Sequence, residues 1–390
     1  MVLNRNAFGD LVRAYRKQRG WTQEELAERW GYTRGYVSLI EAGKKKLDSV
    51  TQVVRLADIL DIPQEKLEAI GRGIPTRQIK ATSSEEADNA ILQMLLAPGR
   101  DMVKVSYIAW LADQHPAIEA NLQNLVMSLN RSLTSYSGEF VKPAQQLLGY
   151  AHQMLGKIAF DRMDFVSAGG HFSEMIDLGQ ELNDADIIAL GMVRQGDVLR
   201  KRARYETALK TFEAAKPFAA VASLSVQGAL HTNMARAFHY MGNEQKFSES
   251  INRALEIASS TEENIDSLAN GFNFDLALQF QASGYTALWK PEKAIEIYRD
   301  LDKRPFRALR DQGAYTIEKA RAYLEAGYID VGIELALKGL QLVSEYRSRR
   351  HVARLDATYN RLRVLPVGKD RRLNTLRDAL RKIRQETENW

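Results

Sequence analysis

Apolar residues recur along most of this chain every three or four positions, the period of a helix with one buried face. Phe8, Leu11, Val12 and Tyr15 mark a first helix over residues 5–19. The run from Gln23 to Ala42 reads as two short helices joined by a tight turn. Ala27 is small where the second of them crosses close by, and Gly31 suits a turn whose backbone a Cβ would oppose. Val37 and Ile40 share one face of the later helix, which leaves Thr33, Arg34, Gly35, Ser38 and Leu39 on the opposite face. Residues 49–60 predict a fourth helix, and Leu67 and Ile70 a short fifth. The stretch Gly71–Glu86 loses the period and is rich in Gly, Pro, Ser and Thr, the composition of a linker. From residue 87 helical runs alternate with short breaks containing Gly, Pro or Asn, and strand-like alternation is absent.

A short helix with one free face, locked against a second helix, is the geometry that enters a major groove. Charge agrees with that use. Between Arg5 and Lys46 stand ten Lys and Arg against five Asp and Glu, about +5, and phosphate contacts dominate affinity for DNA. A hairpin used only for packing has no need of such a stripe. Residues 346–390 are also basic, with thirteen Lys and Arg against five Asp and Glu, whereas the whole chain carries only +5. The body between is therefore net negative, and the basic tail reads as a solvated helix face before a second DNA contact.

The segment GWTQEELAERWGYTRGYVSLIEAGKK, Gly20 to Lys45, resembles the Xre/Cro-like helix-turn-helix of phage repressors over roughly residues 5–70. The resemblance implies that Gln23 contacts phosphate. It places Thr33, Arg34, Gly35, Ser38 and Leu39 at base-reading positions, with Lys44 and Lys45 near the DNA backbone. It also matches Arg16 and Glu41 to a buried ion pair that orients the fold. Gly35 and Leu39 stand where relatives often carry long polar readers, so readout rests on Arg34, assisted by Ser38 and Tyr36.

Internal repetition follows. Gly156, Ala159, Ala168 and Phe172 form one set of small and aromatic positions, and Gly196, Leu199, Ala208 and Phe212 the next. Ala235, Phe238, Ile251 and Ala254 form a looser third, Ala282, Tyr285, Ala294 and Tyr298 a fourth, and Ala320, Tyr323, Gly332 and Ala336 a fifth. Small residues let paired helices approach, and an aromatic fills the gap between successive pairs. These sets resemble tetratricopeptide repeats, with equivalent positions about 38–47 residues apart. Residues 87–140 add one or two divergent hairpins, residues 351–386 a capping pair, and Gly169-Gly170 is expected in a turn. The expected fold is all-α: a helix-turn-helix domain (1–72), a linker (73–86) and an α-solenoid of tetratricopeptide-like hairpins (87–390).

That layout resembles peptide-sensing quorum regulators of the PlcR, PrgX, NprR and Rap kind. It implies a transcription regulator that dimerises through its repeats and binds a short peptide on the concave face. First-helix positions expected on that face are Gln153, Lys157, Asp197, Arg200, Thr232, Asn233, Arg236, His239, Gln279, Ser283 and Arg321. From these, Gln153, Lys157, Arg200, Asn233, Arg236, Gln279 and Arg321 are the candidate peptide contacts, because peptide amides and a carboxylate need such donors and acceptors. Phe272, Phe274 and Phe280 are candidate apolar walls, although their spacing also fits core.

Other chemistry is poorly supported. In 390 residues there is no cysteine, so disulfides, thiolate metal sites and cysteine nucleophiles are excluded. The six histidines form no HExxH motif, and no GxxxxGK[ST] phosphate loop occurs. No cofactor, metal or enzymatic activity is expected. Apolar runs are interrupted by charge before membrane-spanning length, which leads to the expectation of a cytoplasmic protein without a membrane partner. The expected partners are double-stranded DNA with an inverted-repeat operator, a short peptide and a second copy of the chain. The alternative is a repeat scaffold for protein partners, with the head as a docking module.

Overall fold

A computed structural model describes residues 5–30, 34–45, 56–57, 59–63, 66, 84–112, 115–134, 138–260, 272–304 and 308–387. The chain divides into two compact units, Met1–Thr82 and Ser83–Trp390. That division falls inside the Gly/Pro/Ser/Thr-rich stretch, and residues 84–86 of the expected linker already belong to a helix. Gly31 and Thr33, the linker residues before 84, and the proposed helix at Leu67 and Ile70 lie outside the described residues.

The first unit is built on α1 (Arg5–Gln18), α2 (Gln23–Trp30) and α3 (Arg34–Glu41). Helix α2 starts with a reciprocal cap. The Glu25 amide donates to Thr22 Oγ1 at 3.2 Å, and the Thr22 amide donates to the Glu25 carboxylate at 2.6 Å. Phe8 and Val12 from α1, Leu26, Ala27 and Trp30 from α2, and Val37 and Ile40 from α3 close one core with Leu56 and Leu60. Helix α1 runs so near the end of α3 that a Cβ on Gly9 would lie 2.4 Å from the Ile40 carbonyl oxygen.

The second unit is helical in all its elements among the described residues. A long first pair, α4 (Ser84–Ala112) and α5 (His115–Leu133), precedes a series of antiparallel hairpins. These are α6 (Val141–Asp161) with α7 (Phe165–Leu182), α8 (Ala185–Lys201) with α9 (Tyr205–Ala219), and α10 (Leu224–Tyr240) with α11 (Glu244–Ser259). They continue as α12 (Phe274–Ala287) with α13 (Pro291–Leu301), and α14 (Leu309–Glu325) with α15 (Ile329–Glu345), before α16 (Arg349–Leu362) and α17 (Leu373–Thr387) close the chain. Each first helix packs on its own partner and on the first helix of the next hairpin. That stacking makes a tetratricopeptide-like solenoid. The period recurs in the turns. Met163, Ala203, Gly242, Trp289 and Gly327 each take a left-handed backbone, with φ of 66°, 57°, 71°, 60° and 87°.

Close approach of helices explains the small residues. A Cβ on Gly156 would lie 2.4 Å from the Phe172 ring, and one on Gly196 would lie 2.2 Å from the Phe212 ring. Both aromatics are buried. Gly169 and Gly170, by contrast, lie inside α7 and not in a turn. The cap that starts α7 sits earlier, at Asp164, whose carboxylate accepts from the Ser167 amide at 3.1 Å.

The ends of this unit are tied across its interior. Arg310 on α14 donates to the Trp110 carbonyl oxygen on α4 at 2.7 Å and pairs with Asp161 at the end of α6 at 2.5 Å. Asp161 also accepts from Ser348 Oγ at 3.0 Å and from Arg350 Nε at 3.1 Å. The side chains of Asp161 and Arg310 are each 2% exposed. Gly196→Ala should cost about 1–3 kcal/mol through overpacking against Phe212. Gly169→Ala has nothing within 4 Å of the new Cβ and should stabilise by roughly 0.5–1 kcal/mol. Denaturant unfolding of the two variants checks this; shifts of the same sign would contradict the packing described.

Candidate functional site

In the head, α3 presents two chemically different faces. Val37 and Ile40 are buried, whereas Arg34, Gly35, Ser38 and Leu39 are exposed, as are Lys44 and Lys45 beyond its end. Tyr36 is half-buried, with its ring 5.7 Å from that of Trp30. The orientation of α3 is set at Glu41, which is 2% exposed. Its carboxylate accepts from Arg16 Nε at 2.5 Å and Nη2 at 3.0 Å, and from Gln23 Nε2 at 2.9 Å. Arg16 Nη1 donates in turn to the Trp21 carbonyl oxygen at 2.5 Å, and Arg13 Nη2 to the Glu41 carbonyl oxygen at 2.8 Å. Burial alone would raise the Glu41 carboxyl. The hydrogen bonds from Arg16 and Gln23 and the charges of Arg16 and Arg13 outweigh it and hold the group below its ordinary value. One carboxylate thus joins the end of α1, the start of α2 and the end of α3.

In the second unit, the first helices surround a cavity of about 550 Å³, within the range of roughly 300–1,000 Å³ usual for ligand pockets. Lys157 comes from α6, Arg194 and Lys201 from α8, Arg236 from α10, Arg310 from α14, and Arg350 and Arg354 from α16. Trp110, Leu276 and Phe280 add apolar wall. Lys157 Nζ stands 4.5 Å from the Tyr107 ring and 4.4 Å from the Trp110 ring. Glu318 accepts from Ser283 at 2.9 Å and from Arg354 Nε at 2.8 Å, and pairs with Arg321. Burial would raise the Tyr240 hydroxyl, but Arg354, Arg200 and Arg321 bring it down to about 8. The cavity lining itself holds more Lys and Arg than Asp and Glu.

A family model described as a helix-turn-helix domain matches residues 7–70. A hypothetical transcription factor of Neisseria meningitidis serogroup B is 31% identical over 80 residues, covering 18% of this chain and 74% of that protein. The chain belongs to the helix-turn-helix family of transcription regulators. Among solved structures, a Rap protein complexed with competence and sporulation factor is 13% identical, with a TM-score of 0.49 over 94% of this chain and 98% of that one. PlcR of Bacillus thuringiensis, solved with the peptide PapR7 and DNA, is 11% identical, with a TM-score of 0.27 over 92% of this chain and 99% of that one. Both are distant likenesses.

For this helix-turn-helix regulator, the residues singled out for base reading fall on the exposed side of α3, Thr33 excepted. Gln23 sits at the start of α2 and is held by Glu41. Of the residues singled out for peptide contact, Lys157, Arg236 and Gln279 line the cavity. The others stand behind its wall. Gln153 is fully buried, Arg200 is spent on Asp197 at 2.8 Å, and Arg321 donates to Thr358 Oγ1 at 2.8 Å. Asn233 accepts from Arg236 Nη1 at 3.0 Å and so positions a lining residue. His239 is packed between the rings of Tyr240 and Phe247. Phe280 lines the cavity, while Phe272 covers Gly228 in the core. Arg194, Lys201, Arg310, Arg350 and Arg354 were not anticipated; the available signal is their helical spacing, seven residues within α8 and four within α16. Among the described residues no group of three His, Asp or Glu is gathered as a metal site, and no helix is long and apolar enough to cross a membrane.

Glu41→Gln leaves Arg16 buried without its counter-charge and should destabilise the head by about 3 kcal/mol. Because the carboxyl lies below its ordinary value of 4.5, its stabilisation is present above that pH and lost as the pH falls through the folded value. Hydrogen exchange of α1–α3 in the full chain should therefore show acid-dependent loss of protection that Glu41→Gln flattens. An unchanged pH profile in the variant would contradict the role given to Glu41.

Proposed function

We propose that this chain is a ligand-controlled, sequence-specific DNA-binding regulator. Helix α3 enters the major groove, with Arg34 as the principal base reader, Ser38 and Tyr36 assisting, and Thr33 and Gly35 at the groove-facing positions. Leu39, 44% exposed, supplies an apolar contact of the kind that a thymine methyl takes. Gln23, Lys44 and Lys45 hold the phosphate backbone. The observation that carries the reading is the exposed polar and basic side of α3, standing on a helix whose other side is pinned by Val37, Ile40 and the Arg16–Glu41 pair.

The repeat unit binds a short peptide in its interior cavity, with Lys157, Arg236 and Gln279 as direct contacts. Asn233 directly, and Arg200 through Asp197, hold Arg236 in place from behind, while Gln153 and Arg321 stand outside the lining. Occupancy changes the pitch of the solenoid and with it the competence of the DNA-binding head. A shift from mostly competent to mostly incompetent requires a preference of about 5.5 kcal/mol for one state, which several charge-assisted hydrogen bonds in a closed site supply. Two copies joined through their repeats would read an inverted-repeat operator, since the protein two-fold must match a two-fold in the DNA.

The test is quantitative binding of selected operator duplex by the full chain. Arg34→Ala should lose about 1–3 kcal/mol of discrimination, or roughly fivefold to 150-fold, with unfolding unchanged. Lys44→Ala with Lys45→Ala should weaken all sequences alike and reduce the salt dependence by about two phosphate contacts. Wild-type protein without any salt-dependent duplex binding would overturn this reading and leave a repeat scaffold whose head docks on protein.

A further inference from the structure

The charge inside the repeat unit is unbalanced. Eight lysines and arginines line the cavity against three carboxylates, and Asp161 and Asp197 behind the lining pair with Arg310, Arg350 and Arg236, so the imbalance lies at Lys157 and Lys201. Two of the lining carboxylates are engaged, Asp275 by Arg304 and Glu318 by Arg321, Arg354 and Ser283. The third, Asp311, forms no ion pair among the described residues. Lys201 has neither a hydrogen bond nor an ion pair among the described residues, and the charges that act on it are those of Arg354, Arg200, Arg350 and Arg236. Lys157 rests on two aromatic faces and forms no ion pair among the described residues; Arg194, Arg310 and Arg350 surround it, opposed by Asp311.

Such an arrangement costs stability. Like charges crowded in a concave site repel, and partial burial disfavours each ammonium further. Both lysines are accordingly held well below their ordinary value, by burial first and by the neighbouring arginines second. A packing role would be served better by apolar side chains of similar volume. Two half-buried ammonium groups without counter-charges, Lys157 and Lys201, are what a site for anions looks like before its ligand arrives.

We infer that the cavity takes a ligand with two or more negative charges, which reach Lys201 with Arg354 on one side and Lys157 with Arg350 on the other. This inference rests on the peptide reading above and specifies it: the peptide is acidic, its carboxylates meeting the two lysine clusters while an apolar side chain lies against Leu276. Clustered negative charge also occurs in phosphorylated small molecules, and the experiment separates the two sources.

Full-length protein is offered three pools of short random peptides: one with Asp or Glu at alternate positions, one with Asn or Gln at the same positions, and one basic. Inorganic tripolyphosphate serves as the fourth probe. Retention of the acidic pool about tenfold above its amide-matched counterpart is expected, the equivalent of one charge-assisted contact. Lys157→Gln with Lys201→Gln should abolish the preference, and Lys201→Arg should keep it, which separates lost charge from lost fold. Equal retention of the acidic and amide pools would overturn the charge inference and leave the peptide reading standing. Tripolyphosphate bound by wild type and not by the double lysine variant, with no peptide retained, would uphold the anion site and overturn the peptide. Binding of neither would overturn both.

Discussion

Asp161 is the residue on which the repeat unit turns. A solenoid is held by contacts between neighbours and has no intrinsic reason to close. Here a buried carboxylate at the end of α6 collects Arg310 from α14 and Ser348 and Arg350 from the segment opening α16. Arg310 continues the tie to the Trp110 carbonyl oxygen on α4. Burial would raise the Asp161 carboxyl, but Arg310, Arg350 and His351 hold it far below the usual carboxylate range, so the clasp is ionic at every physiological pH. A pair of this kind adds little net stability over an apolar contact, yet leaving one member alone is costly. Its value lies in geometry. It converts an open stack of hairpins into one that surrounds a cavity.

The cavity derives its chemistry from that closure. Guanidinium and ammonium groups on successive first helices would be ordinary solvated side chains on an open concave face. Gathered around one cavity, they are partly removed from water and act on one another, as the lowered values of Lys157, Lys201 and Tyr240 reflect. The head uses the same device at smaller scale. Glu41 gathers Arg16, Gln23 and Arg13 and fixes the angle at which α3 presents Arg34. In both units a buried carboxylate sets the geometry of neighbouring cations, exposed on α3 and cavity-facing in the repeat unit.

Local pattern made much of this legible. The two faces of α3 follow from Val37 and Ile40, and the hairpins follow from small residues placed under aromatics, as in Gly156 with Phe172 and Gly196 with Phe212. What stayed hidden is non-local or depends on helix phase. Nothing near Arg310 announces partners 149 and 200 residues away. The repeats vary in length, so a template carried from one hairpin to the next slips by part of a turn. That slip turned Arg200 and Arg321 toward the wall and left Lys201 unread, while Arg354 went unread because residues 351–386 were expected only to cap the stack. Gly169-Gly170 misled because paired glycines usually mark turns, whereas here the Asp164 cap has already started α7.

Control of the head by what occupies the cavity is most directly measured by selection of duplex fragments bound to purified full-length protein, with and without a fraction of small cytosolic peptides and metabolites. An inverted-repeat site whose occupancy changes with that fraction, and ceases to change in Lys157→Gln with Lys201→Gln, is the expected result. A site bound equally under all these conditions would contradict ligand control and leave a regulator whose repeat unit serves another purpose.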